Sequence, residues 1–186
     1  MPVPTNNRVR IIGGRHRGRA LRFPGVPGLR PTPDRVRETL FNWLGQDLTG
    51  RTTLEPYAGT GAMSLEALSR GAALAVAVDS DAALVRSLAD NARLLREEAL
   101  EAHRGDARVW LERETRAFDV VFLDPPFDAD PWPWLLPAAA ARLAPGGVIY
   151  AEARRPLAAP AGLAPWRADR AGAVHFELLR RAPYAG

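Results

Sequence analysis

The sequence predicts an α/β protein built on a parallel sheet with helices on both faces. Three observations carry that expectation. From about residue 52 onward, short apolar runs alternate with helix-length segments that have one apolar side. The strongest runs, 74–78 and 119–123, read as strands buried on both faces. Glycines or acids follow the expected strands: Gly59 and Gly61, Asp79, Asp106 and Asp124. In such sheets, ligands collect outside the carboxyl ends of the strands.

The elements follow in order. Residues 8–12 and 19–23 alternate around Gly13-Gly14-Arg15-His16-Arg17-Gly18, the pattern of a β-hairpin with an arginine-rich turn. Residues 24–33 are rich in Pro and Gly and should be an extended linker. Thr32 is suited to cap a helix with Pro33 at its first position. Val36, Leu40, Phe41 and Leu44 form that helix's buried stripe, with Arg35, Arg37 and Glu38 off it. Residues 52–57 should be a strand leading into the glycine loop. Residues 62–69 form a helix stopped by Gly71, and 74–78 a strand ending at Asp79. A longer helix is expected over 82–96, a weak strand over 100–104, and a short helix after Asp106. Strand 119–123 ends at Asp124. Helix 132–143 and the turn Pro145-Gly146-Gly147 lead to strand 148–151, and 163–167 with 174–179 should close the sheet as an antiparallel pair. This divides the chain into a hairpin, linker and helix over 1–48 and an alternating strand–helix domain over 49–186.

Composition sets bounds. With 186 residues and 47% hydrophobic content, a core is affordable for one domain and an appendage. No apolar run approaches the roughly 20 residues of a membrane helix, and the N-terminus has no signal-peptide pattern. A cytoplasmic monomer is expected. The chain has no cysteine, which removes disulfides, thiolate metal sites and a catalytic thiol. His16, His103 and His175 lack ligand spacing, so no metal is expected. The net charge is +4, and every cationic side chain other than histidine is arginine. Arg8, Arg10, Arg15, Arg17, Arg19 and Arg22 crowd the first two dozen residues with His16 and no acid. Such a block suits a polyanion; a solvated tail is the plainer alternative.

Two motifs point to chemistry. In Glu55-Pro56-Tyr57-Ala58-Gly59-Thr60-Gly61, the glycines let the backbone turn tightly and approach a ligand, and the following helix start offers free N–H groups. Asp79, eighteen positions after Gly61, is placed to accept ribose hydroxyls, with Ser80 beside it. Asp79 also reads as a helix cap, although Asp81 is better placed for that. Asp106, with Ala107, is suited to an adenine amine or to capping the next helix. A nicotinamide dinucleotide site would want a third glycine where Ser64 stands. Glu55 suits the sulfonium and ammonium of S-adenosylmethionine rather than a pyrophosphate.

The second motif is Asp124-Pro125-Pro126-Phe127. Two prolines fix two φ angles and remove two N–H donors, so the peptide bonds at their nitrogens present carbonyls only. An amine on an aromatic ring is a poor nucleophile because its lone pair is delocalised. Hydrogen bonds to the Asp124 carboxylate and the Pro125 carbonyl favour a pyramidal nitrogen whose lone pair can attack a methyl group. Phe127 offers a face for the base. A plain Pro-rich turn is the alternative, and the glycine loop 65 residues upstream argues against it.

The chain resembles the bacterial small-subunit (16S) ribosomal RNA guanine-N2 methyltransferases. The likeness runs through Arg10-Ile11-Ile12-Gly13-Gly14 with Arg17-Gly18, Arg30-Pro31-Thr32, and Arg37-Glu38-Thr39-Leu40-Phe41-Asn42. It continues through Ala58-Gly59-Thr60-Gly61, Leu65-Glu66-Ala67-Leu68-Ser69-Arg70-Gly71-Ala72 and the Asp124–Phe127 motif. It implies a seven-stranded Rossmann-like class I methyltransferase sheet with an N-terminal hairpin and helix. It also implies S-adenosylmethionine as methyl donor, and methylation of a guanine amine of 16S rRNA in an assembling small subunit. Pro56 and Tyr57 depart from the family pattern, as does Asp79 where Glu is usual. RNA contacts are expected from Arg8, Arg10, Arg15, His16, Arg17, Arg19, Arg22, Arg30 and Arg35. The rival readings are an adenine-N6 nucleic-acid methyltransferase, a protein glutamine methyltransferase and a non-catalytic RNA-binding assembly factor. A nicotinamide dehydrogenase is more distant.

Overall fold

The computed structural model describes residues 7–183; residues 1–6 and 184–186, the two ends of the expected segments, lie outside it. Strands β1 (Arg8–Arg10) and β2 (Ala20–Arg22) pair antiparallel as the expected hairpin. The linker follows, then helix α1 (Asp34–Trp43).

From there strand and helix alternate: β3 (Thr52–Glu55), α2 (Ala62–Ser69), β4 (Leu74–Asp79), α3 (Ala82–Leu95) and β5 (Leu100–Arg104). Next come α4 (Ala107–Arg113), β6 (Phe118–Leu123), α5 (Trp132–Ala140) and β7 (Leu143–Ala153). The hairpin β8 (Leu163–Ala171) and β9 (Val174–Arg181) ends the series.

Seven of these strands make one sheet in the order β5-β4-β3-β6-β7-β9-β8. Strands β3 to β7 pair in parallel, and β9 enters antiparallel between β7 and β8. This is the class I methyltransferase sheet. The direction of progression reverses between β3 and β6, which is where an open α/β sheet leaves a crevice. The two sequence motifs leave these two neighbouring strands.

Side chains alternate across the sheet, so each strand feeds two cores. On one face Val120 and Phe122 join Ala75, Ala77, Tyr150 and Leu178 beneath α1, α2, α3 and the hairpin residues Val9, Ile11 and Leu21. On the other, Val121 and Leu123 join Leu54, Val76 and Ile149 beneath Leu111 of α4 and Leu135 of α5. Truncating one of these buried side chains to Ala costs about 2–5 kcal/mol.

The hairpin is attached by a buried polar knot. The fully buried Glu66 carboxylate accepts from the Ile12 and Gly13 N–H groups at 2.9 and 2.7 Å. It also accepts from the Arg37 and Arg70 guanidiniums at 3.2 and 3.0 Å. The approach is so close that a Cβ on Gly14, whose φ is +75°, would sit 1.9 Å from the Ser69 carbonyl oxygen. A Cβ on Gly13 would meet the Arg70 guanidinium at 2.4 Å.

Four expectations need correction. Arg37, expected off the buried stripe, is fully buried, because besides Glu66 it reaches Asp34 at 2.6 Å and the carbonyls of Arg10 and Thr32. Thr32 does not cap α1; its hydroxyl donates to Glu152 at 2.8 Å, and Pro33 takes the cap position. Helix α5 stops at Ala140 rather than running to 143, because Leu143 already pairs with Phe118. The Pro145-Gly146-Gly147 turn is an irregularity inside β7, between the Phe118 and Val120 pairings.

Candidate active site

The loop after β3 and the tetrapeptide after β6 line one continuous cavity of about 840 Å3. That volume is in the range of small-molecule pockets, roughly 300–1,000 Å3. Strand pairing Thr53↔Val120 and Leu54↔Val121 sets the two motifs side by side.

Within the loop, the Ala58 N–H bonds the Val78 carbonyl at 2.9 Å, and the Gly59 N–H bonds Asp79 Oδ2 at 2.9 Å. Gly59 has φ of +52°, and a Cβ there would press on Leu29 at 3.1 Å. Of the expected cofactor residues, Glu55, Pro56, Tyr57, Ala58, Gly59 and Thr60 line the cavity. Asp79, Ser80, Asp106, Ala107 and Asp124 line it as well. Gly61 does not. At its φ of +72° a Cβ would lie 2.1 Å from Leu88 of α3, so this glycine makes room for helix packing.

Asp79 and Asp106 each do two things. Asp79 pins the glycine loop and accepts the Asp81 N–H at 2.9 Å, while Asp81 caps α3. Asp106 caps α4 by accepting the Val109 N–H at 3.0 Å, and remains on the cavity wall. Tyr57 is half-buried, and burial, followed by the Asp106 charge, pushes its phenol up to about 12.

The acids at the centre are poorly partnered. Glu55 Oε2 accepts from the Ser64 N–H and hydroxyl at 3.0 and 2.5 Å; Oε1 accepts nothing among the described residues. Burial pushes Glu55 up to about 8; the Ser64 bonds oppose this and the charges of Asp79 and Glu152 add to it. Asp124 accepts no hydrogen bond among the described residues, and burial with the Glu152 and Glu55 charges holds its pKa well above the usual carboxylate range. Burial raises Glu152 too, against bonds from Thr32 and from the Tyr150 hydroxyl at 2.9 Å. Three carboxylates thus share one low-dielectric region, and none of them forms an ion pair among the described residues.

The tetrapeptide presents acceptors. Pro126's carbonyl is taken by the Ala129 N–H at 3.2 Å, whereas Pro125's accepts nothing among the described residues. Phe127 is 41% exposed, with the Arg154 guanidinium 5.5 Å from its ring centre.

The segment from Arg30, expected near the cavity mouth, does line it, whereas Val26 to Leu29, Tyr150 and Arg154 had no signal in the sequence. Linker residues Val26 to Thr32 form a cavity wall, held by Thr32 on Glu152. Tyr150 and Arg154 line it from β7 and the loop after it. Only tertiary pairing brings them there.

The expected RNA residues separate into two groups. Arg15 makes a two-pronged ion pair with buried Glu97 at 2.9 and 2.6 Å, and His16 Nε2 lies 2.6 Å from the same carboxylate. Arg10 pairs with Asp34 at 3.0 Å. Arg8, Arg17, Arg19, Arg22, Arg30 and Arg35 are exposed and form no ion pair among the described residues; Arg30 also lines the cavity.

Comparison with known proteins agrees with this architecture. The family described as Conserved hypothetical protein 95 matches residues 9–180. An Escherichia coli K12 protein named ribosomal RNA small subunit methyltransferase D is 38% identical over 185 residues, covering 95% of this chain and 91% of that protein. The solved structure of the putative methyltransferase yhhF from Escherichia coli superposes with a TM-score of 0.86 at 34% identity, over 94% of this chain and 98% of that one. A Thermus thermophilus 16S rRNA N2 methyltransferase, solved with AdoMet and guanosine, shares the fold at TM-score 0.72 and 24% identity, over 95% of this chain and 50% of that one. With residues 9–180 matched and that 38% identity spanning nearly the whole chain, the protein belongs to the Conserved hypothetical protein 95 family, the family of ribosomal RNA small subunit methyltransferase D.

Proposed function

We propose that this protein transfers a methyl group from S-adenosylmethionine to the exocyclic N2 of a guanine in 16S ribosomal RNA. The observation that carries the reading is the cavity joining the glycine loop to a tetrapeptide whose two prolines lack N–H donors and whose carboxylate has no protein partner among the described residues. The E. coli relative's name supplies the substrate class, small-subunit ribosomal RNA.

The residues fit the cofactor. Glu55 offers an unpartnered carboxylate oxygen to an ammonium or sulfonium, Asp79 a carboxylate edge to a ribose, and Asp106 an acceptor to an adenine amine. When bound, S-adenosylmethionine supplies an electrophilic methyl on a cationic sulfur. A cation in this region favours ionised carboxylates, so cofactor binding prepares Asp124 as an acceptor.

Guanine's Watson–Crick edge carries the N1–H and N2–H2 donors, whereas adenine's carries N6–H2 and an acceptor N1. A wall of acceptors at Asp124 and Pro125 matches the guanine edge better. Asp124 and the Pro125 carbonyl then hold the amine pyramidal, and catalysis is positioning plus electrostatics. The base must leave its stack to arrive there. Phe127 gives it a face, and the unpaired arginines of the hairpin neutralise backbone phosphates.

The test is to incubate the protein with labelled S-adenosylmethionine and small subunits from a deletion strain, then analyse the nucleosides by mass. N2-methylguanosine is expected. N6-methyladenosine, or no RNA label, would sink the assignment.

A further inference from the structure

The active-site cavity does not end at Phe127. A second cavity of about 190 Å3 borders it, sharing Pro125, Pro126, Phe127 and Arg154 and adding Trp132 and Arg155. None of the glycine-loop residues, Asp79 or Asp106 lines it, so it is no part of the proposed cofactor site. A third hollow of about 310 Å3 continues from it, again walled by Trp132 and Arg155. Each cavity thus shares wall residues with the next.

We propose that the second cavity holds the nucleotide next to the target guanine, its base against Trp132 and Phe127 and its phosphate on Arg155 and Arg154. This rests on the function proposed above. The chemistry is that of a single-strand platform: aromatic faces accept any base, and arginines track the backbone. Phe127 is exposed and already has a guanidinium over its ring, and Trp132 is only half-buried at the cavity wall.

The two arginines are available. Arg155 meets Asp130 at 3.0 Å and Arg154 meets Asp128 at 3.7 Å, with at least 60% of each of the four side chains exposed. Exposed pairs of this kind contribute little, so a phosphate can replace the carboxylate partner. The sequence motif thus serves two neighbouring nucleotides, with Phe127 standing between them. A base everted into the Asp124 side leaves its neighbour unstacked, and the second cavity gives that neighbour a new surface.

The experiment uses hypomethylated small subunits as substrate and compares wild type with Arg155→Gln, Trp132→Ala, Trp132→Phe and the distant charge control Arg93→Gln. Loss of stacking or of one phosphate contact should raise KM for the subunits about tenfold in Trp132→Ala and several-fold in Arg155→Gln. The kcat and the calorimetric affinity for S-adenosylmethionine should stay at wild-type values. Trp132→Phe should recover most of the loss, and Arg93→Gln should behave as wild type. If Trp132→Ala fails to bind cofactor, Arg155→Gln decides, since its side chain is 73% exposed. Guanine methylation by wild type with an unchanged KM in Arg155→Gln overturns the second site alone. No guanine methylation by wild type overturns both this site and the function on which it rests.

Discussion

Two buried acidic regions of this protein are built in opposite ways. At Glu66, four donors converge on one carboxylate, two of them guanidiniums, and the side chain is sealed from solvent. At Glu55, Asp124 and Glu152, three carboxylates share the cavity wall and its surroundings with only hydroxyl and amide partners; Asp124, partly open to the cavity, has none among the described residues. A satisfied buried charge holds a structure together. An unsatisfied one raises the free energy of the empty protein and waits for a cation or a donor. The knot therefore fixes the hairpin to the sheet, and the cavity is left with acceptors that the proposed ligands would satisfy.

The sharpest way to break the comparison is to unpair the knot. Glu66→Ala leaves Arg37 and Arg70 buried without their common partner and should cost about 3–5 kcal/mol of stability. A denaturant midpoint close to wild type would show that the knot is not what holds the hairpin. Asp124→Asn, in contrast, removes a charge that has no partner. It should leave stability unchanged or improved, keep S-adenosylmethionine binding, and lower kcat by about 10^2–10^3-fold, the typical loss for one positioned polar group. Near-normal turnover would remove Asp124 from the chemistry.

Glu55 sharpens the contrast through pH. Burial raises its folded pKa from 4.5 to about 8. The stability this gives is therefore full below about 4.5 and is lost as pH rises through about 8. A cationic ligand favours the carboxylate, so binding should release a proton in that window. Affinity for S-adenosylmethionine should rise with pH and level off above about 8. Glu55→Gln should flatten most of that rise, the remainder belonging to Asp124 and Glu152. Calorimetry in buffers of different ionisation enthalpy counts the protons. An equal count in wild type and Glu55→Gln would exclude Glu55 as the cation's partner.

The legible parts of this protein were those whose physics is local. Glycines before a helix, an acid after an apolar run and two prolines in succession announce themselves within a few residues, and the strand–helix rhythm placed them at one sheet edge. What escaped depends on distant partners. Arg37 looked solvent-facing because, of its two acid partners, only the exposed Asp34 is close in sequence, while the buried Glu66 lies 29 residues away. Thr32 looked like a cap because its acceptor, Glu152, is 120 residues distant. Gly61 looked like part of the ligand loop because the leucine that needs its space sits on α3. The blocks around Gly13 and Glu66 carried a family likeness without a visible reason; the knot supplies one, since each block is half of it.

The same rule divides the hairpin's cations, and here the expected effects are smallest. Arg15 and His16 are committed to Glu97, whose carboxylate is nearly fully buried, whereas Arg17, Arg19 and Arg22 have no acid partner among the described residues. Replacing the latter three with Ala should weaken RNA binding and reduce the salt dependence by about one unit of slope per lost phosphate contact, with no change in stability. Arg15→Ala should do the reverse, destabilising the hairpin attachment while moving the salt slope little, because a cation already bonded to a buried carboxylate has less to offer a phosphate. Titrating RNA at several salt concentrations separates the two classes. Equal slopes for Arg15→Ala and Arg17→Ala would mean that partnership inside the fold does not decide which arginines reach the RNA.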